Sequence, residues 1–417
     1  MIQKIFLTIL VVFIPATLSA QTLSFYEAQQ LALANSRQLD AQTAAVVAAQ
    51  ELAVSAGERP DPMLKIGIES LPINGADSFS TTRDFMTMRT IGLSQEFTRG
   101  EKLKLRRERM AREAALLSAN KGLLESEVLR GASKAWLMKY YLEKQLLLLE
   151  TYLIETKQQL SATTASYRGG KVTQSDLILA QSDVLLLEDQ LEVLSREINQ
   201  ANAALIRWVG EENSGRMLSG QPDFHKTQLV FEDLNSELAK LPELIVQERL
   251  IALADSDVRL ARSNKHADWT VELSYAQRGS EFSDMASIGV SVPIQWDQAR
   301  RQNRELAARQ AKLEQARAER DEQVFIETEE LRALAEDWRS GLSRLRRYNE
   351  KLLPLSKARQ QSALASWRGG RGSLSDVLSA RRALLDTHLN ILQLEVKTAL
   401  AWADLEFRLP KESGSKS

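Results

Sequence analysis

One ten-residue phrase occurs twice in this chain. Residues 167–176 read YRGGKVTQSD, and residues 367–376 read WRGGRGSLSD. Widened to 165–180 and 365–380, the two stretches share Ala, Ser, Arg, Gly, Gly, Ser, Asp and Ala at equivalent places. Each interrupts a long run of helix-forming sequence. Two long helices broken at equivalent points imply a duplicated unit, and a repeat constrains architecture before any local assignment does. The likeness extends outward: 37–69 resembles 242–274 in pattern, and IGLSQEFTRGEKLKLRRERMAREA resembles IGVSVPIQWDQARRQNRELAARQA. Each half therefore reads helix, strand, strand, very long helix, Gly-Gly break, helix. The first repeat covers 21–210, a linker with Gly, Pro and Asn covers 211–232, the second repeat covers 233–408, and 409–417 reads as a flexible tail.

The helical parts carry a coiled-coil signature. Leu142, Leu146, Leu149, Leu153, Thr156, Leu160, Thr163 and Tyr167 follow a 4–3 spacing. After the break, Leu177, Ala180, Val184, Leu187, Leu191, Leu194, Ile198, Ala201 and Leu205 continue it. The register recurs at Val377, Ala380, Leu384, Ile391 and Leu405. Sustained heptads mean helices packed along one seam. A helix from Glu101 to about Ser166, at about 1.5 Å per residue, would span on the order of 100 Å. Such a rod exceeds what a globular domain needs.

The strands are short. Segments 63–70, 83–97, 269–277 and 286–296 alternate apolar and polar residues. Trp269, Val271, Leu273 and Tyr275 alternate with Thr270, Glu272 and Ser274; Ile288, Val290, Val292, Ile294 and Trp296 alternate with Ser287, Gly289, Ser291, Pro293 and Gln295. Period two with one apolar face gives one dry side and one wet side. In a soluble protein this is a half-buried sheet. In a membrane it is a barrel wall with its apolar side toward lipid, and Trp269 and Trp296 would suit an aromatic girdle. An open sheet edge cannot face lipid, because its unpaired N–H and C=O groups find no water there. Closed membrane barrels need about eight strands or more. Four strands per chain would then have to be pooled, eight from two copies or twelve from three. A filled eight-strand barrel leaves little lumen, so a solute pore favours three copies or more.

The N-terminal MIQKIFLTILVVFIPATLSA has one lysine, an apolar stretch and small residues ending at Ala20, the pattern of a signal peptide over 1–20. The rest has no apolar run of about 20 residues, so no spanning helix is expected. There are no cysteines, which excludes disulfides, thiol catalysis and thiolate metal sites. With 54 basic and 55 acidic residues, nothing points to nucleic acid.

The repeated break reads as a helical hairpin tip. Gly169, Gly170, Gly369 and Gly370 are expected to supply positive-φ positions past a helix end. Thr173 with Asp176, and Ser373 with Asp376, have capping-box spacing, and an acidic residue there meets the positive end of the helix dipole. Arg168, Lys171, Arg368 and Arg371 stand outside the caps without an evident helical partner. The basic run 101–113 reads as a solvated helix face, with contact to phospholipid head groups as the alternative. His225, His266 and His388 are far apart, so no metal site is expected. A Met86/Met88 pair is placed on one strand face, where packing is the simpler reading than a soft metal site. No phosphate loop, GxSxG or catalytic triad spacing is present, so no enzyme and no cofactor is expected.

The ordered repeat, IGLSQEFTRGEKLKLR after the second strand, and the elements YRGGKVTQSDLILAQ and WRGGRGSLSDVLSAR resemble the TolC-type outer-membrane efflux proteins over about 23–408. The pattern GLSQEF…G…LR is most similar to the heavy-metal or cation branch, the CzcC/CusC type. That resemblance implies an α+β membrane protein: a long antiparallel coiled-coil α-helical barrel, plus four β-strands per chain contributing to a trimeric twelve-stranded β-barrel. It implies an outer-membrane homotrimer with a long periplasmic extension, in contact with outer-membrane lipid. It also implies a periplasmic membrane-fusion adaptor and an inner-membrane RND-type pump as partners. By the same resemblance the tips, with Arg168, Gly169, Gly170, Lys171, Arg368, Gly369, Gly370 and Arg371, face the adaptor, and the region of Thr173, Asp176, Ser373 and Asp376 closes the tube as an iris at rest. Many members carry a lipidated N-terminal cysteine, which this chain lacks. Drug efflux or type I protein secretion are alternatives within the duct reading. A secreted periplasmic coiled-coil scaffold or adaptor without a barrel is the alternative outside it.

Overall fold

A computed structural model describes residues 22–229 and 233–409. The expected signal peptide, part of the linker (230–232) and nearly all of the expected tail lie outside the described residues. In chain order the elements are β1 (Leu23–Ser24), α1 (Phe25–Asn35), α2 (Arg37–Ser55), β2 (Met63–Glu69), β3 (Met88–Phe97), α3 (Gly100–Arg168), α4 (Gln174–Val209), α5 (Glu211–Ser214), β4 (Leu218–Ser219), α6 (Leu234–Leu238), α7 (Pro242–Ser263), β5 (Trp269–Gln277), β6 (Met285–Ser291), α8 (Gln302–Arg347), α9 (Leu353–Arg368) and α10 (Leu374–Glu406). The doubled order of elements follows the sequence repeat. In space the chain forms two compact units, and each takes segments from both repeats.

The first unit holds residues 22–36, 128–227 and 335–404. Its core is the heptad seam. Leu149, Tyr152, Leu187, Leu194 and Leu385 form one buried cluster, with Leu142, Leu146, Leu153, Leu191 and Ile198 packed against it. Of the second-repeat positions, Val377, Ala380, Leu384 and Ile391 are all buried. Of the two seam threonines, Thr156 Oγ1 donates to Tyr152 O at 2.7 Å, whereas the buried Thr163 hydroxyl has no hydrogen-bond partner among the described residues. A two-residue parallel pair, Leu23 with Leu218 and Ser24 with Ser219, closes this unit near α1. Ser24 caps α1, accepting the Glu27 amide at 3.1 Å. Trp136, fully buried, donates its Nε1–H to Leu23 O at 3.1 Å.

The long helix of the second repeat is not continuous. A five-residue π turn, Tyr348–Leu352, separates α8 from α9, and Leu353 N–H reaches back to Tyr348 O. Pro354 is the physical reason: it has no N–H to bond the carbonyl four residues earlier. The first repeat has no proline there, and α3 runs for 69 residues.

The second unit holds 37–127, 228–334 and the described part of 405–417. Its sheet is antiparallel, in the order β2-β3-β5-β6. Four boundaries differ from expectation, the smallest being β6, which begins at Met285, one residue early. β2 ends at Glu69, since Ser70 takes a left-handed backbone with φ 54°. β3 begins at Met88, not at 83, because Asp84 accepts the Met86 amide at 2.8 Å and folds 83–87 into a turn. β6 ends at Ser291, not at 296, since Pro293 cannot donate to a ladder.

Candidate functional site: paired hairpin tips and a two-faced sheet

Each hairpin tip ends its first helix in a Schellman motif. At the first, Gly170 N–H donates to Tyr167 O at 2.9 Å and Lys171 N–H to Ser166 O at 2.9 Å. At the second, Gly370 N–H donates to Trp367 O at 3.0 Å and Arg371 N–H to Ser366 O at 2.9 Å. This geometry needs one left-handed residue per tip, and Gly170 (φ 69°) and Gly370 (φ 70°) supply it. The expectation that all four glycines take positive φ is therefore corrected: Gly369 has φ −81° and Gly169 is not among the positive-φ residues. They are the helix-end residues before the reversal.

The next helices start with the expected capping boxes. Thr173 Oγ1 accepts the Asp176 amide at 3.2 Å, while Asp176 Oδ2 accepts the Thr173 amide at 3.0 Å. Ser373 and Asp376 repeat this at 3.1 and 3.2 Å. The hydrogen bonds from Ser373 hold the Asp376 carboxyl below its ordinary range. The two tips lie side by side: Ala180, Leu374 and Leu378 form a buried cluster that Leu160, Val172 and Trp367 cover. Arg168, Lys171, Arg368 and Arg371 are exposed, and among the described residues none of them makes an ion pair. The structure thus brings all twelve predicted tip residues together in the first unit.

Sequence spacing missed a second linkage between the hairpins. Arg381 on α10 pairs with Glu155 on α3 at 2.6 Å, and its guanidinium lies 5.9 Å from the Tyr152 ring centre. Arg382 approaches Asp183 of α4 at 3.7 Å. A cleft of about 40 Å³ sits among Tyr152, Asp183, Gln190, Arg381 and Asp386. Burial pushes the Asp183 carboxyl up against the pull of Arg382 and Arg381, and raises Tyr152 to about 12. Partners 226 residues apart leave no local signal.

In the second unit the register sorts the sheet into two faces. Leu64, Leu93, Leu273 and Ile288 form one cross-strand row, and Ile66, Ile91, Tyr275 and Ala286 the next. On the other face Lys65, Gly92, Ser274 and Ser287 form a row. The apolar row is uncovered: Ile66 is 76% exposed and Ile288 77%. β2 and β6 are both unpaired on their outer edges among the described residues.

Part of the basic run after β3 is paired, while Lys104 and Arg107 are exposed. Lys102, buried, pairs with Asp268 at 2.9 Å. Arg109 pairs with Asp257 at 2.9 Å and Glu113 at 2.7 Å, and Glu108 holds Arg259 of α7 at 2.8 Å. Burial raises the Asp268 carboxyl, but the hydrogen bonds from Lys102 and the Arg99 amide, with the charges of Lys102 and Arg106, leave it below its ordinary value. Met86 lies outside the strand that Met88 begins, so the two do not share a strand face. Among the described residues no group of three or more His, Cys, Asp or Glu side chains is placed to hold a metal ion. Nor, among them, is any helix long and apolar enough to cross a membrane.

Solved structures supply the comparison. CusC, described through its conformational changes on folding and transmembrane channel formation, superposes with a TM-score of 0.81 at 18% identity, covering 93% of this chain and 92% of that one. The outer-membrane channel OprN gives 0.78 at 17% identity, covering 93% and 90%. The outer membrane protein VceC of Vibrio cholerae gives 0.75 at 16%, covering 93% and 97%. The fold is that of solved outer-membrane channels. No family model matches the chain, and no curated protein matches it. The expectation of a TolC-like chain, long helical hairpins plus four strands in a duplicated order, is met at the level of fold.

Proposed function

We propose that the chain is one of three copies forming a passive outer-membrane exit duct of a tripartite efflux system. The observation that carries this reading is the sheet: four strands with an exposed apolar face, a polar opposite face and two free edges. A soluble protein would cover such a face, and exposed apolar patches of this size mark an interaction surface or lipid. Lipid suits it only if the edges are closed, and three copies of four strands close a twelve-stranded wall with a lumen. The paired tips supply an end rigid by capping and rich in free cations, suited to a periplasmic adaptor that couples the duct to an inner-membrane pump. Transport energy comes from the pump, and the duct performs no catalysis.

The resemblance of GLSQEF…G…LR to the heavy-metal branch, together with the structural likeness to CusC, favours heavy-metal cations as the cargo. Drug efflux or type I secretion would use the same duct. Deleting the gene and testing growth on divalent and monovalent metals decides between them: metal hypersensitivity supports the branch, and unchanged tolerance to every metal removes it. A barrel-free periplasmic scaffold leaves the apolar sheet face without a role. Release of the protein from washed membranes as a soluble monomer would favour that scaffold.

A further inference from the structure

The polar face of the sheet carries a strap. Lys65 on β2 reaches Glu272 on β5, and Nζ lies 2.7 Å from Oε2. These strands are not neighbours; β3 lies between them. Two inter-strand steps make about 10 Å, which only two long side chains laid flat can bridge. The path is clear because Gly92, in the same row as Lys65, has no side chain. A Cβ there would also sit 3.3 Å from both Leu273 O and Ser274 Cβ, so the position is tight as well as open above.

The charges on this face are few and asymmetric. Following the register, its strand residues include Lys65, Glu69, Glu96 and Glu272, and the rest are small, hydroxylated or methionine. Lys65 is the only cation among them, and the strap occupies it. Glu69 and Glu96 make no ion pair among the described residues; the Glu96 carboxylate accepts the Thr98 hydroxyl at 3.4 Å. The apolar face carries a single charge, Arg89, at one end of β3.

We infer that the Lys65–Glu272 strap is a specificity-determining element of the lumen wall: it neutralises the wall's only cation and leaves an unpaired acidic surface that favours cations over anions. This rests on the duct reading, in which the polar face lines the lumen. Repeated around three copies, a wall with more carboxylates than ammonium groups raises the local concentration of cations, as any lining of one sign does.

The absence of cysteine allows a direct probe. Ser274→Cys in the full chain puts a single thiol on the polar face, in the row of Lys65 and Gly92. Cells displaying it are treated from outside with a cationic trimethylammonium and an anionic sulfonate methanethiosulfonate, and each rate is normalised to the same reagent with a free thiol. The cationic reagent is expected to react faster. Adding Glu272→Gln frees Lys65 and lowers the cation-to-anion rate ratio by about threefold, the size expected of one screened charge in a lining. Adding Lys65→Gln raises it, and the double replacement returns it to the starting value. Equal rates in the parent, or a ratio indifferent to Glu272→Gln, overturns the inference and leaves the duct intact. A Ser274→Cys thiol closed to both reagents, alongside a reactive Leu273→Cys, inverts the faces and overturns the duct reading with it.

Discussion

Gly131 of α3 lies directly against the indole of Trp208 of α4: a Cβ on Gly131 would fall 2.3 Å from Trp208 Cζ2. The contact lets two long helices approach more closely than any side chain permits. Gly341 repeats the device against Thr398, whose Oγ1 would lie 2.2 Å from an added Cβ. Gly131→Ala should destabilise the folded chain by about 1–3 kcal/mol, the usual cost of forcing atoms into a full interface. Urea unfolding reads this, and Trp208→Leu in the same chain should recover part of the loss.

The tip glycines should divide by position. Gly170→Ala and Gly370→Ala place a side chain at φ near 70°, costing about 1–2 kcal/mol each. Gly369→Ala should be tolerated, because its φ is −81° and the nearest atom to an added Cβ is 3.4 Å away. Protease nicking at the tips would rank these variants; equal sensitivity of all three would contradict the Schellman assignment.

The Lys102–Asp268 pair should matter more than other ion pairs of the basic run. Its side chains are 5% and 17% exposed. Lys102→Met strands the carboxylate and should cost about 2–3 kcal/mol, below the full penalty of a wholly buried pair because the Arg99 amide remains. Lys104→Met, on the exposed side of the same helix, should change stability by less than about 0.5 kcal/mol. Thermal unfolding of both variants tests the contrast.

The second tip should loosen only in strong acid. Hydrogen bonds from Ser373 lower the Asp376 carboxyl below its ordinary value of 3.8. A carboxyl depressed on folding stabilises fully above its unfolded value and loses that contribution as pH falls through the native one. Amide hydrogen exchange at the start of α10 should therefore stay slow down to about pH 4 and speed up below it, once the intrinsic pH dependence of exchange is divided out. In Asp376→Asn this acid step should vanish.

Charge reversal at Arg168 together with Arg368 should abolish export while leaving the assembled oligomer intact, because neither guanidinium holds the tip together. Export assayed as metal tolerance, beside an unheated gel for assembly, separates docking from folding. Normal export by this double variant removes these charges from the docking surface.

Much of the fold was legible because its signals are local or periodic. The heptad at Leu149, Leu187 and Leu194 marked the buried seam directly. Thr173–Asp176 and Ser373–Asp376 declared their caps through spacing alone. What escaped the sequence reading depends on distant partners. Residues 101–113 look like a free basic face until α7 brings Asp257 to Arg109 and the residue before β5, Asp268, meets Lys102. The Arg381–Glu155 pair and the Lys65–Glu272 strap join residues more than 200 positions apart. Alternation overran the ends of β3 and β6, where Asp84 and Pro293 stop the ladder by hydrogen bonding that hydrophobicity does not encode. At the tips, Gly-Gly announced a reversal, but which glycine turns is set by bonds back to Ser166 and Tyr167.

The proposed duct pools four amphipathic strands from each of three copies in an outer membrane. Separating inner and outer membranes on a density gradient, then weighing the mild-detergent extract by light scattering with the detergent mass subtracted, tests it most directly. The protein is expected to band with the outer membrane and to have the mass of three chains. A single-chain mass in the soluble periplasmic fraction would contradict it.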